Sequence, residues 1–117
     1  MSYTILVAED DRRIADLLRE LLSDEGFNIR IAGDGIEALV AIEQDPPDVI
    51  VSDIKMPLLD GVQLATLVAA RRTPIPFILM SAHYDGADIP GTIFLAKPFD
   101  LDGIVNVIRQ AVGAQTD

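Results

Sequence analysis

The sequence predicts an α/β domain built on a parallel sheet with helices on both faces. Three observations carry this. Five short apolar runs alternate with stretches whose apolar residues recur at helical spacing. Alternation at that spacing is what a parallel sheet with crossover helices requires. The chain has 117 residues, half of them hydrophobic, with no repeat, linker or low-complexity run, so residues 1–117 are expected to form a single domain with a real core.

The elements follow in order. Thr4-Ile5-Leu6-Val7-Ala8 is a strand running into Glu9-Asp10-Asp11. Ile14, Leu17, Leu18, Leu21 and Leu22 form a helical stripe opposite Arg12, Arg13, Asp16, Arg19 and Glu20, and Gly26 can end that helix. Phe27 to Ala32 alternates, as a strand with one more exposed face would. Asp34, with Glu37 three residues on, starts a second helix whose stripe is Ile36, Leu39 and Val40 and which Pro46-Pro47 stop. Val49-Ile50-Val51 is a strand buried on both faces that ends at Asp53, and Pro57 forces a turn just beyond. Leu64, Leu67 and Val68 mark a third helix, ending near Arg71-Arg72, where the arginines suit a helix C-terminus. Phe77 to Met80 and Thr92 to Ala96 are two further strands, ending at Ser81 and Lys97. Ile104, Val107, Ile108, Ala111 and Val112 give a last helix.

Composition narrows the function. The net charge is −10, from 19 acidic and 9 basic residues, so nucleic acid and anionic membrane surfaces would be repelled, while a basic partner patch or a bound cation is favoured. There is no cysteine, hence no disulfide or thiolate metal site. The opening residues lack the features of a signal peptide, and no stretch approaches a membrane span. A cytoplasmic location is expected.

The chemistry gathers at the strand ends. Glu9 and Asp10 follow the first strand, Asp53 ends the third, Ser81 the fourth and Lys97 the fifth. In a parallel sheet these ends share one edge, where ligands of open α/β sheets sit. Each group has a plainer role open to it: a helix N-terminus for the acidic run, a turn for Asp53 and Ser81, solvated surface for Lys97. Together they suggest more. Three crowded carboxylates resist ionising, and a divalent cation with hard oxygen ligands, magnesium, relieves them. Carboxylates, a metal, a lysine and a hydroxyl suit phosphoryl transfer, and a carboxylate nucleophile would yield an acyl phosphate. The only histidine, His83, cannot make a zinc site of the usual kind.

The chain resembles the receiver domain of two-component response regulators along essentially its whole length. The resemblance rests on Ile5-Leu6-Val7-Ala8-Glu9-Asp10-Asp11, Gly35-Ile36-Glu37-Ala38-Leu39, Asp53-Ile54-Lys55-Met56-Pro57 with Asp60-Gly61, Ser81-Ala82, and Lys97-Pro98-Phe99. It implies a flavodoxin-like, doubly wound, five-stranded sheet in the order 2-1-3-4-5. It implies that Asp53 is the phosphoacceptor and that Glu9, Asp10, Asp53 and the backbone carbonyl of Lys55 bind Mg2+. It implies that Ser81 and Lys97 contact the phosphoryl group, that Phe94 is the aromatic switch residue with Ser81, and that the Lys97–Pro98 peptide is cis. The implied partners are a histidine kinase or phosphotransfer protein and an unnamed downstream protein, with no nucleic acid and no membrane, the chain being a monomer or weak dimer.

The chain departs from the family between Ser81 and Lys97. The segment His83 to Gly91 has two glycines, a proline and no apolar stripe, so the helix usually found between the fourth and fifth strands is expected to be short or absent. The chain reads as a stand-alone receiver that signals by protein contact and catalyses only its own phosphorylation and dephosphorylation. Two other readings compete: a degenerate receiver acting unphosphorylated as a binding module, and a small phosphatase with an aspartyl nucleophile. The second would want an acid where Lys55 stands. Flavin binding would need a phosphate loop in place of Glu9-Asp10-Asp11.

Overall fold

In the computed structural model, residues 2–82 and 89–115 are described. The elements run β1 (Thr4–Ala8), α1 (Arg12–Asp24), β2 (Asn28–Ala32), α2 (Gly35–Gln44), β3 (Val49–Asp53), α3 (Gly61–Ala69), β4 (Phe77–Ser81), β5 (Thr92–Ala96) and α4 (Leu101–Gln115). All strand pairs are parallel, in the order β2-β1-β3-β4-β5. The fold is the flavodoxin-like one expected. The Lys97–Pro98 peptide is cis, also as expected. The expected shortening of the helix before β5 falls largely on residues 83–88, which lie outside the described residues.

Two cores sandwich the sheet. Ile5, Val7, Val51 and Ile78 point to one side, against Leu18 and Leu22 of α1 and Ile104 and Ile108 of α4. Leu6, Ile50 and Leu79 point to the other, against Ala38 and Ile42 of α2 and Leu64 and Val68 of α3. Central strands whose residues alternate between two buried faces read as unbroken apolar runs, which is why β1, β3 and β4 are so plain in the sequence.

The helix faces differ from the expected stripes. α2 packs through Gly35, Ala38 and Ile42, leaving Ile36 and Val40 exposed. At the start of the helix the approach is close, since a Cβ at Gly35 would run into the Leu59 carbonyl, while two turns on Ile42 is fully buried on the same face. Leu67 of α3 is exposed beside buried Leu64 and Val68. In α1 the apolar stripe is wider than the contact it makes, and Ile14 and Leu17 face outward. The arginines after α3 do not occupy its last turn. Arg71 instead reaches Glu43 of α2 at 2.6 Å.

The register sets the site. Ala8 is level with Ser52, Asp53 with Met80, and Ser81 with Ala96. Glu9 N–H extends the ladder by donating to the Ala32 carbonyl, and Lys97 N–H does so by donating to that of Ser81. Glu9, Asp53, Ser81 and Lys97 therefore leave the sheet at the same edge.

Candidate functional site

Asp53 sits at the end of β3 with its side chain 16% exposed. One carboxylate oxygen, Oδ1, accepts from the N–H of Ile54 at 2.8 Å. The other, Oδ2, faces Lys97 Nζ at 3.2 Å. Oxygen atoms of Glu9, Asp10 and Asp53 lie within 4.8 Å of one another. The acidic run after β1 divides its labour. Asp11 caps α1, accepting from Arg13 N–H at 3.0 Å, and that bond first among several holds its carboxyl below the ordinary range. Glu9 and Asp10 remain for the cluster.

Glu9 is the strained member. It is 2% exposed. Its Oε2 accepts from Asp11 N–H at 3.1 Å, while Oε1 is buried with no donor. Burial, opposed by that N–H and by Lys97 and reinforced by Asp53 and Asp10, pushes its pKa from 4.5 up to about 7. A buried carboxylate oxygen without a donor, on a residue grouped with two more carboxylates, fits a hard divalent cation well.

The loop after Asp53 is held by contacts that its sequence does not announce. Ser52 Oγ donates to the Asp53 carbonyl at 2.8 Å and lies 3.9 Å from Met56 Sδ. Gly61 N–H donates to the Ile54 carbonyl at 2.8 Å, and a Cβ at Gly61 would meet the Asp53 carbonyl. Asp60 and Gln63 form a reciprocal capping box at the start of α3. Asp10, Lys55, Pro57 and Asp60 line a cavity of about 520 Å³ on this side of the edge. Of the residues singled out from sequence, Glu9, Asp10, Asp53 and Lys97 converge on one point. Ser81 stands at the end of the neighbouring strand, Lys55 in the loop, and Phe94 on β5, half-buried against the α2–α3 core. Ser52, the Ile54 N–H and the Asp60–Gln63 box were not foreseen. For Asp60 the signal was present: an acid three residues before a glutamine at a helix start.

The description "response regulator receiver domain" covers residues 5–109 of this chain. The chain belongs to that family. As such it is a receiver domain of two-component response regulators. It is 35% identical over 115 residues to the response regulator MprA of Mycobacterium bovis, covering 93% of this chain and 50% of MprA. The chain thus spans about half the length of the curated relatives it matches. Among solved structures it is similar to the receiver domain of the Francisella response regulator 1452, at 30% identity and a TM-score of 0.86, covering 97% of this chain and 99% of that one. It is also similar to the receiver domain of a signal transduction histidine kinase from Syntrophus aciditrophicus, at 26% identity and a TM-score of 0.87, over 97% and 92% of the two chains. Among the described residues no helix is long and apolar enough to cross a membrane.

Proposed function

We propose that this receiver, as a single domain over residues 1–117, takes a phosphoryl group onto Asp53 from a phosphohistidine of a histidine kinase or phosphotransfer protein. The observation that carries the reading is the convergence of Asp53 with Glu9 and Asp10 within 4.8 Å and with Lys97 at 3.2 Å. An Asp53 oxygen attacks phosphorus, a P–O bond forms as the donor's P–N bond breaks, and the departing nitrogen keeps the electron pair and takes a proton from solvent. Glu9, Asp10, Asp53 and the Lys55 carbonyl would hold Mg2+, which would supply positive charge against the phosphoryl oxygens. Lys97, paired with Asp53 at rest, moves to a phosphoryl oxygen as charge builds there, and the Ser81 hydroxyl donates to another. Ser81 moving inward leaves room for Phe94 to turn, which carries the change to the surface and to a downstream protein. The same residues serve dephosphorylation, and no separate substrate is turned over.

The donor's approach is also suggested by packing. Ile14, Leu17 and Leu21 of α1, with Pro98 and Phe99, line an apolar groove of about 490 Å³ that opens beside Glu9 and Lys97. Leu17 is 54% exposed there. An apolar helix face of the phosphodonor fits this groove, since burying such side chains on association is favourable.

Incubation with phosphoramidate and Mg2+, followed by intact mass, tests the reading. One phosphoryl adduct is expected on the wild type, none in chelator and none on Asp53→Asn, which keeps the shape but not the nucleophile. An adduct of equal rate on Asp53→Asn would overturn it.

A further inference from the structure

Ser52 is a polar residue in an apolar place. It is fully buried, and on β3 it faces the same way as Ile50, toward the α2–α3 core. Ala8 is level with it on β1 and Leu79 on β4. A hydroxyl in such surroundings needs a partner. It donates to the carbonyl of Asp53 at 2.8 Å. Met56 Sδ, a weaker acceptor, stands 3.9 Å from the same hydroxyl.

What that bond fixes is a plane. The peptide joining Asp53 to Ile54 is trans and rigid, with its carbonyl and its N–H at opposite ends. Ser52 holds the carbonyl end. The N–H end donates to Asp53 Oδ1 at 2.8 Å. The torsion that turns an aspartate carboxylate about its own axis has broad wells, so the side chain alone does not decide where each oxygen points. The Ile54 N–H decides it. Oδ1 is tied down, and Oδ2 is left facing Lys97 Nζ at 3.2 Å. Gly61 closes on the same peptide. A Cβ there would meet the Asp53 carbonyl, and Gly61 N–H donates to the Ile54 carbonyl at 2.8 Å. Gly61 restrains the peptide by contact, while Ser52 restrains it by a directed bond. A chain of two hydrogen bonds and one rigid plane thus runs from a hydroxyl in the core to the carboxylate at the sheet edge.

We propose that Ser52 is a positioning residue for phosphoryl transfer: through the peptide between Asp53 and Ile54 it aims an N–H at Oδ1 and so sets the Asp53 carboxylate for attack. The proposal rests on the reading of Asp53 as phosphoacceptor. Ser52→Ala removes the hydroxyl and adds no bulk, and Ser52→Thr keeps a hydroxyl. Labelling by phosphoramidate at saturating Mg2+ is followed by intact mass, and the backbone amides by proton–nitrogen correlation spectra in chelator. In Ser52→Ala the labelling rate should fall about tenfold, as for a reacting group displaced by part of an ångström. Its Ile54 amide proton, held downfield in the wild type by the carboxylate, should move upfield while amides elsewhere on β1, β3 and β4 stay in place. Ser52→Thr should keep the Ile54 signal and label at a rate nearer to wild type than to Ser52→Ala. If the added methyl prevents folding or misplaces the hydroxyl, Ser52→Ala decides alone, by rate and Ile54 signal together. A wild-type rate in Ser52→Ala, even with a lowered melting temperature, overturns the proposal, since the hydroxyl would then serve only the stability of the loop. So does a slowed rate with the Ile54 proton unmoved, or a Ser52→Thr that restores the Ile54 signal and not the rate. If phosphoramidate does not label the wild type, the reading of Asp53 falls and takes the proposal with it.

Discussion

Glu9 is a carboxyl held where its charged form is costly, and this gives the domain a pH dependence of definite sign. Its pKa is pushed to about 7 in the fold against an ordinary 4.5. Between those values the folded chain holds a proton that the unfolded chain has released, so metal-free stability falls as pH rises from about 4.5 to about 7. The fall should be at most roughly 3–4 kcal/mol, since each unit of pKa is worth about 1.4 kcal/mol. Glu9→Gln should flatten that part of the profile and be more stable than wild type at pH 8, measured by urea midpoints in chelator. Magnesium should reverse the order by stabilising the wild type and not the variant. A wild-type midpoint that rises across this window would show that Glu9 is not the strained group. At this scale the site was legible because its chemistry is written in side chains: acids and a lysine at strand ends. The Ile54 N–H on Asp53 and the Ser52 hydroxyl under the loop were not, because an N–H belongs to every residue and a serine before an acid announces nothing.

The elements were read well as strands and less well as helix faces. β1, β3 and β4 are apolar through and through because both sheet faces are covered. A helix offers no such redundancy, and α2 meets the core through Gly35, Ala38 and Ile42 while Ile36 and Val40 point out. Apolar periodicity finds large residues and overlooks the small ones, here Gly35 and Ala38, that set the packed face. Two glycines separate close packing from mere tolerance. A Cβ at Gly61 would meet the Asp53 carbonyl, Leu79 and Ile54, so Gly61→Ala should cost about 1–3 kcal/mol and displace the loop that carries Lys55. Gly113 has nothing within 4 Å of such a Cβ and lies inside α4, so Gly113→Ala should stabilise by up to about 1 kcal/mol. Opposite signs in guanidinium melts would support this packing; a neutral Gly61→Ala would contradict it.

At the scale of the whole molecule, Lys97 ties the acidic cluster to the edge-strand side of the sheet. It follows β5, its N–H extends the β4–β5 ladder at Ser81, and its ammonium meets Asp53 at 3.2 Å. β5 is the least buried strand, and Phe94 and Leu95 on it reach the two different cores. A shift of Lys97 toward a phosphoryl oxygen would therefore pull on the strand that links the site to both layers, and through Phe99 and Leu101 on the start of α4. The phosphoryl group can favour a second arrangement only through contacts that differ between the two, and Lys97 supplies such a contact. In Lys97→Ala the resting pair with Asp53 is lost, so the cluster should bind Mg2+ at least as tightly, and phosphoramidate should still label Asp53, though more slowly. The response should be cut off. Amide shifts on adding beryllofluoride and Mg2+, a phosphoryl mimic, should reach Phe94, Leu95 and the first turn of α4 in the wild type and stay confined to the β1 and β3 ends in the variant. Equal shifts along β5 in both proteins would mean that the signal leaves the site without Lys97, and Ser81 alone would have to carry it.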